Sequence, residues 1–139
     1  MEYLFVYGTL RRACAHPLHR LLAEQARYEG MATYEGCLYD LGAYPGAVPH
    51  PGAAPSVLGE LYALPAPQTV LPQVDRYEGC TERYDPRAEY RRERQAITRE
   101  DGTVVTAWIY LYNRPTGTLR LIESGDFLRR HASDSEAPA

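Results

Sequence analysis

The chain has 139 residues, 45% of them hydrophobic, with 15 basic and 18 acidic side chains and a net charge of -3, which is the length of one domain able to bury its own core. Every basic residue is arginine, in runs no longer than two, so the concentrated positive face that a nucleic acid or an acidic membrane attracts is missing. Cys14, Cys37 and Cys80 are odd in number and far apart, which predicts free thiols in a reducing, cytoplasmic setting, and neither a signal-peptide pattern nor an apolar run of the roughly 18 residues of a membrane span occurs.

The first predicted element is the apolar, aromatic run from Tyr3 to Tyr7. It reads as a strand inside the sheet, with its C-terminal end opening into the main pocket. Gly8 marks where the backbone turns or approaches something closely. Gly8, Thr9 and Leu10 then offer successive N–H groups and a hydroxyl, the minimal equipment for a small anion such as a carboxylate; an ordinary strand-to-loop turn accounts for the same residues. Pro17 to Glu24 predicts a short helix with Leu18, Leu21 and Leu22 on one face. Tyr28 to Tyr39 predicts strands bent at Gly30 and Gly36, and residues 45–55 a Pro/Gly/Ala loop.

Val57 to Leu64 reads as a strand closed by Pro65. Thr69 is expected to cap a helix in which Pro72 falls in the first turn and Val70, Val74 and Tyr77 share a face. Glu78 and Gly79 lie at that helix's C-terminal end, where the negative end of the helix dipole raises a carboxyl pKa. Glu89 to Thr98 predicts a half-exposed strand, Asp101-Gly102 a hairpin turn, and Val104 to Tyr112 a strand. On that strand Val105, Ala107, Ile109 and Leu111 form an aliphatic face and Thr106, Trp108, Tyr110 and Tyr112 a mainly aromatic one. Residues 131–139 read as a disordered tail after a single domain over 1–130. Many short strands with two helices give an α+β class, a small mixed β-barrel with short flanking helices.

Several residue groups could carry chemistry. His16 and His19, near Cys14, have a spacing compatible with a metal pair, but no second ligand pair accompanies them, so no metal and no cofactor is expected. Twelve tyrosines against two phenylalanines would suit base stacking on single-stranded nucleic acid; with this acidic charge a polar cavity for a small zwitterion fits them better. By local pattern Glu78 reads first as a surface residue before a C-cap glycine, with a functional carboxylate as the second reading.

Five pieces occur in order from Tyr3 to about Phe127: Tyr7-Gly8-Thr9-Leu10; Gly36-Cys37-Leu38-Tyr39-Asp40-Leu41-Gly42 with Tyr44-Pro45-Gly46; Asp75-Arg76-Tyr77-Glu78-Gly79; Tyr90-Arg91-Arg92-Glu93; and Ile122-Glu123-Ser124-Gly125-Asp126-Phe127. Together they resemble the γ-glutamylcyclotransferase-like family, in its AIG2-like, γ-glutamylamine branch. The resemblance implies a small-molecule γ-glutamyl substrate whose α-amine attacks its own γ-carbonyl, giving 5-oxoproline and a free amine, with no cofactor. It implies Glu78 as general acid/base and the backbone of Gly8, Thr9 and Leu10, beside Tyr7, as the grip on the substrate's α-carboxylate region. Tyr44, Tyr84 and Tyr90 are candidates for the cavity wall. Glu35 and Glu82 match no catalytic position. The short Tyr-Gly-Thr-Leu form and the insertion-like Asp85-Pro86-Arg87-Ala88 depart from some family members, leaving the released amine open. A non-catalytic binding or interaction domain of the same fold is the alternative.

Overall fold

The computed structural model describes residues 1–14, 16–52, 56–80 and 86–129. The expected tail, Tyr84 and Glu82 lie outside the described residues. The elements in chain order are β1 (Glu2–Val6), α1 (His19–Gln25), β2 (Arg27–Tyr34), β3 (Gly36–Asp40), β4 (Pro45–Pro49), β5 (Val57–Leu64), α2 (Pro67–Glu78), β6 (Tyr90–Arg99), β7 (Val104–Tyr112) and β8 (Arg120–Leu121).

β1 is bonded on both edges, antiparallel to β5 and parallel to β7. That second pairing closes the order β1-β5-β2-β6-β7 into a ring, and β4, β3 and β8 continue from β7 as an extension. The result is the expected mixed barrel. Closure leaves β1 without a free edge, which suits a strand made of apolar residues on both faces.

The edge of β7 opposite β6 has two partners. Leu4 of β1 pairs with Trp108, and three residues further on Ala47 of β4 pairs with Leu111. β1 therefore leaves β7 where β4 joins it, and the residues after β1 emerge at this fork.

The period-2 alternation of β1 and β7 serves two cores. Phe5, Ala107, Ile109 and Leu111 join Ala32, Leu61 and Ile97 in a cluster fed by all five ring strands. Leu4, Val6 and Tyr110 face the other way and pack with Leu22 of α1 and Val70, Leu71 and Val74 of α2. The division of β7 into aliphatic and aromatic faces is thus realised as two different environments.

Five local expectations are corrected. Pro45–Pro49 is not loop but β4, paired antiparallel with β3 from Gly36↔Pro49 to Asp40↔Pro45. Pro and Gly masked its strand character, yet Gly46 is required there, because a Cβ would lie 2.8 Å from the Tyr112 side chain. The second helix begins at Pro67, without a side-chain cap; proline's fixed φ suits the first helical position, and Thr69 is already inside, its N–H bonded to the Ala66 carbonyl at 3.0 Å. Pro72 consequently sits in the helix body rather than its first turn. The first helix starts at His19, and Pro17 belongs to the preceding turn. Tyr77 leaves the buried face of Val70 and Val74: it is exposed and reaches toward the turn after β1.

At Gly30, with φ +116°, the β2–β5 register shifts, which bends β2 as a barrel requires. The Asp101-Gly102 hairpin is present, with Thr98 paired to Val104. No helix among the described residues is long and apolar enough to cross a membrane.

Candidate active site

A cavity of about 300 Å³ opens at the fork where β1 leaves β7. Its wall is formed by the end of β1 and the following turn (Phe5 to Leu10), Tyr44 before β4 and Pro45 at its start, the end of α2 (Tyr77 and Glu78), Glu89 before β6 and Tyr90 at its start, and Tyr110 of β7. Segments far apart in the chain meet here because the barrel brings one end of β1, β6 and β7 together.

The turn after β1 is built by sequence. The β1–β5 ladder stops at Val6↔Glu60, and the turn closes through Arg11 N–H to the Gly8 carbonyl at 3.0 Å. Among the described residues the N–H groups of Gly8, Thr9 and Leu10 donate to no turn or loop carbonyl. Gly8 is demanded by close packing: a Cβ would lie 2.7 Å from Pro45 Cδ. The Thr9 hydroxyl and the Tyr77 hydroxyl are 2.6 Å apart, tying the turn to α2.

Behind the turn, Arg11 is buried and bonds Asp126 Oδ1 at 2.7 Å and Glu60 Oε2 at 3.4 Å. Glu60 also accepts the Arg12 N–H and the Tyr62 hydroxyl, each at 3.0 Å. A buried ion pair is tolerated when its remaining hydrogen-bonding sites are filled, as they are here. This network joins the Gly8–Leu10 turn to β5 and to the segment containing Asp126.

Glu78 is the last residue of α2. Gly79 follows with φ +73°, a left-handed conformation, and Cys80 N–H reaches back to the Asp75 carbonyl at 2.8 Å. This 6→1 bond ends the helix abruptly and turns the chain away. One helical turn earlier, Asp75 accepts Arg92 through both oxygens (2.8 and 3.2 Å) and the Tyr110 hydroxyl at 2.6 Å. Asp75 therefore anchors α2 to β6 and β7, which sets Glu78 at the cavity wall.

The Glu78 carboxyl accepts no hydrogen bond among the described residues. Burial, and then the negative charge of Glu89, raise its pKa from 4.5 to about 8. The direction expected from the sequence is present, and its causes include desolvation and a second carboxylate that the sequence did not reveal.

The candidate wall tyrosines are placed as follows. Tyr7 donates its hydroxyl to the Tyr110 carbonyl and accepts the Ala47 N–H at 3.1 Å, so its ring lines the cavity while its hydroxyl bridges the fork. Tyr90 donates to the Pro45 carbonyl at 2.6 Å, and Tyr44 donates to Glu89 at 2.7 Å. Burial pushes the phenols of Tyr7, Tyr90 and Tyr110 well above the ordinary range, so all three remain neutral. Glu35 is elsewhere, accepting the Gly52 N–H at 2.9 Å. His16 Nδ1 accepts the Leu18 N–H at 3.0 Å and His19 Nδ1 lies 2.9 Å from the Leu10 carbonyl, so the two rings serve separate turns.

Sequence reasoning missed Glu89, Tyr77 and Tyr110 as cavity residues. Glu89 precedes Tyr90-Arg91-Arg92-Glu93 and reads as one more polar residue of a half-exposed strand. Tyr110 lies on the aromatic face of β7, a usable signal that does not say which tyrosine reaches the fork.

A family model described as "Gamma-glutamyl cyclotransferase, AIG2-like" matches residues 4–129. The chain belongs to this family. It is 37% identical over 129 residues to the gamma-glutamylcyclotransferase family protein YtfP of Escherichia coli (strain K12), covering 91% of this chain and 96% of that protein. It is 30% identical over 94 residues to a gamma-glutamylaminecyclotransferase of Rattus norvegicus, covering 60% of this chain and 59% of the rat protein. In three dimensions it resembles the crystal structure of an AIG2-like protein from Mus musculus, with a TM-score of 0.66 and 25% identity over 89% of this chain and 87% of that one. These gamma-glutamyl cyclotransferase relatives support a cyclotransferase-type enzyme, and the mouse structure shares the barrel.

Proposed function

We propose that the cavity performs the intramolecular cyclisation of a γ-glutamyl amine or γ-glutamyl peptide to 5-oxoproline, releasing the amine. The observation that carries this reading is the Glu78 carboxyl, without a hydrogen-bond partner among the described residues and with a pKa raised to about 8, in one cavity with the N–H groups of the Gly8–Leu10 turn.

Nucleophile and electrophile belong to the same substrate. Holding its folded conformer supplies effective molarity, and only protons remain to be managed. Gly8, Thr9 and Leu10 grip the α-carboxylate through backbone N–H groups. The bond from the α-nitrogen to the γ-carbon forms, and the bond from that carbon to the departing nitrogen breaks. The two protons lost by the α-ammonium end on the departing amine, with Glu78 accepting one and returning it. A carboxyl raised to about 8 lies far closer to the range of an amine than an ordinary carboxyl does, so the proton moves either way at lower cost.

The test is 5-oxoproline release from a panel of γ-glutamyl amines and γ-glutamyl dipeptides. Turnover of any member establishes the chemistry, and turnover of none replaces it with a non-catalytic binding domain.

A further inference from the structure

The cavity holds a second carboxylate, Glu89, which the cyclisation above does not use. Glu89 is half-buried immediately before β6, and its Oε2 accepts the Tyr44 hydroxyl at 2.7 Å, with Arg114 Nη1 3.9 Å from the same oxygen. Its Oε1 receives no hydrogen bond among the described residues. No basic side chain lines the cavity among the described residues; Arg114 is half-exposed and stands outside the wall.

Two carboxylates in one low-dielectric cavity cannot both ionise cheaply without a cation between them. Glu78 and Glu89 line the same cavity and the charge of Glu89 acts on Glu78, so a ligand cation held in that cavity is drawn by both. A γ-glutamyl group brings such a cation two bonds from its carboxylate.

We propose that Glu89 is the anchor for the substrate's α-ammonium, with Tyr44 fixing the orientation of its carboxylate and Glu78 left to move the proton. The inference rests on reading the cavity as a γ-glutamyl site. An ammonium held between the two carboxylates relieves their repulsion, points the amine toward Glu78 and favours the ionised form that can act as a base. The division of labour predicts that loss of Glu89 weakens binding of the amine, whereas loss of Glu78 stops chemistry.

The experiment measures calorimetric binding of L-glutamine and of glutaramate, the same molecule without its α-amino group. The hosts are the Glu78→Gln variant and the Glu78→Gln/Glu89→Gln double variant. The single variant is expected to prefer glutamine by roughly 10- to 100-fold, the range of a charge-assisted hydrogen bond, and the double variant to lose that preference while still binding glutaramate. Glu89→Gln alone should raise KM by a similar factor with kcat changed less than about threefold, and Glu89→Asp, which keeps the charge, should fall between. A preference that survives in the double variant, or no glutamine binding to the single variant, overturns the assignment. Glutamine binding requires no turnover, so a panel that yields no 5-oxoproline would remove the catalytic reading while leaving this anchor separately tested.

Discussion

The hydroxyl of Tyr7 donates to the backbone carbonyl of Tyr110, and through that bond the first strand still holds β7 after its own ladder has ended. The same hydroxyl accepts Ala47 N–H at 3.1 Å, so one phenol joins three strands at the mouth of the cavity. Tyr7 is a wall residue of the cavity by position and a strut by bonding.

Tyr7→Phe should therefore be costly to the fold. It leaves a buried carbonyl and a buried N–H without their partner, a loss of about 1 to 3 kcal/mol. Urea denaturation should show that loss, and Tyr77→Phe, which gives up only the exposed contact with Thr9, should cost less than about 1 kcal/mol. Equal stability of Tyr7→Phe and wild type would remove the strut.

Glu78→Gln should abolish 5-oxoproline release while sparing the fold. Gln preserves shape but accepts no proton, and general acid/base assistance is worth roughly 100- to 10,000-fold, with the upper end expected because both transfers fail. Affinity should change much less, since the proposed α-carboxylate contacts come from backbone. Glu35→Gln, whose carboxylate serves the Gly52 turn, should be silent, as should Glu82→Gln. Substantial turnover in Glu78→Gln would exclude this residue from the mechanism.

The raised pKa of Glu78 gives two pH signatures. In kcat/KM, the base form of the free enzyme accumulates only as pH rises through about 8, so the low-pH limb should fall about tenfold per unit below that point. In stability, the fold favours the neutral carboxyl. That contribution is complete below the ordinary value of 4.5 and is lost as pH rises through about 8. Melting of wild type and Glu78→Gln should thus be alike near pH 4, diverge in favour of Gln across the window and stay separated above it; a gap independent of pH would contradict the shift.

Gly8→Ala should damage the turn specifically. The added Cβ would lie 2.7 Å from Pro45 Cδ, closer than unbonded carbons allow, so the turn or the β3–β4 turn must move. Crystals of wild type grown with sulfate or formate should show the anion on the N–H groups of residues 8–10, and crystals of Gly8→Ala should not. An anion bound equally in both would detach the site from this geometry.

The sequence by itself determined the strands whose side chains alternate or run apolar, because that period is local: Tyr3 to Tyr7, Val57 to Leu64 and Val104 to Tyr112 needed no partner to be read. It also placed Glu78 at a helix end, since Gly79 supplies the left-handed residue that ends a helix. The motif order was enough to assign the family. Residues 45–49 were illegible because their strand pairing comes from β3 and β7, which outweighs the poor strand propensity of Pro and Gly. The start of α2 was misread for a related reason: Pro67 nucleated the first turn where a side-chain cap was sought. Only the tertiary structure decided that Glu89 joins Glu78 in one cavity, that Tyr7 spends its hydroxyl on the fork, and that burial raises the Glu78 pKa. Each of these depends on distances between residues remote in sequence, fixed by the closing pair of β1 with β7, and no local pattern encodes them.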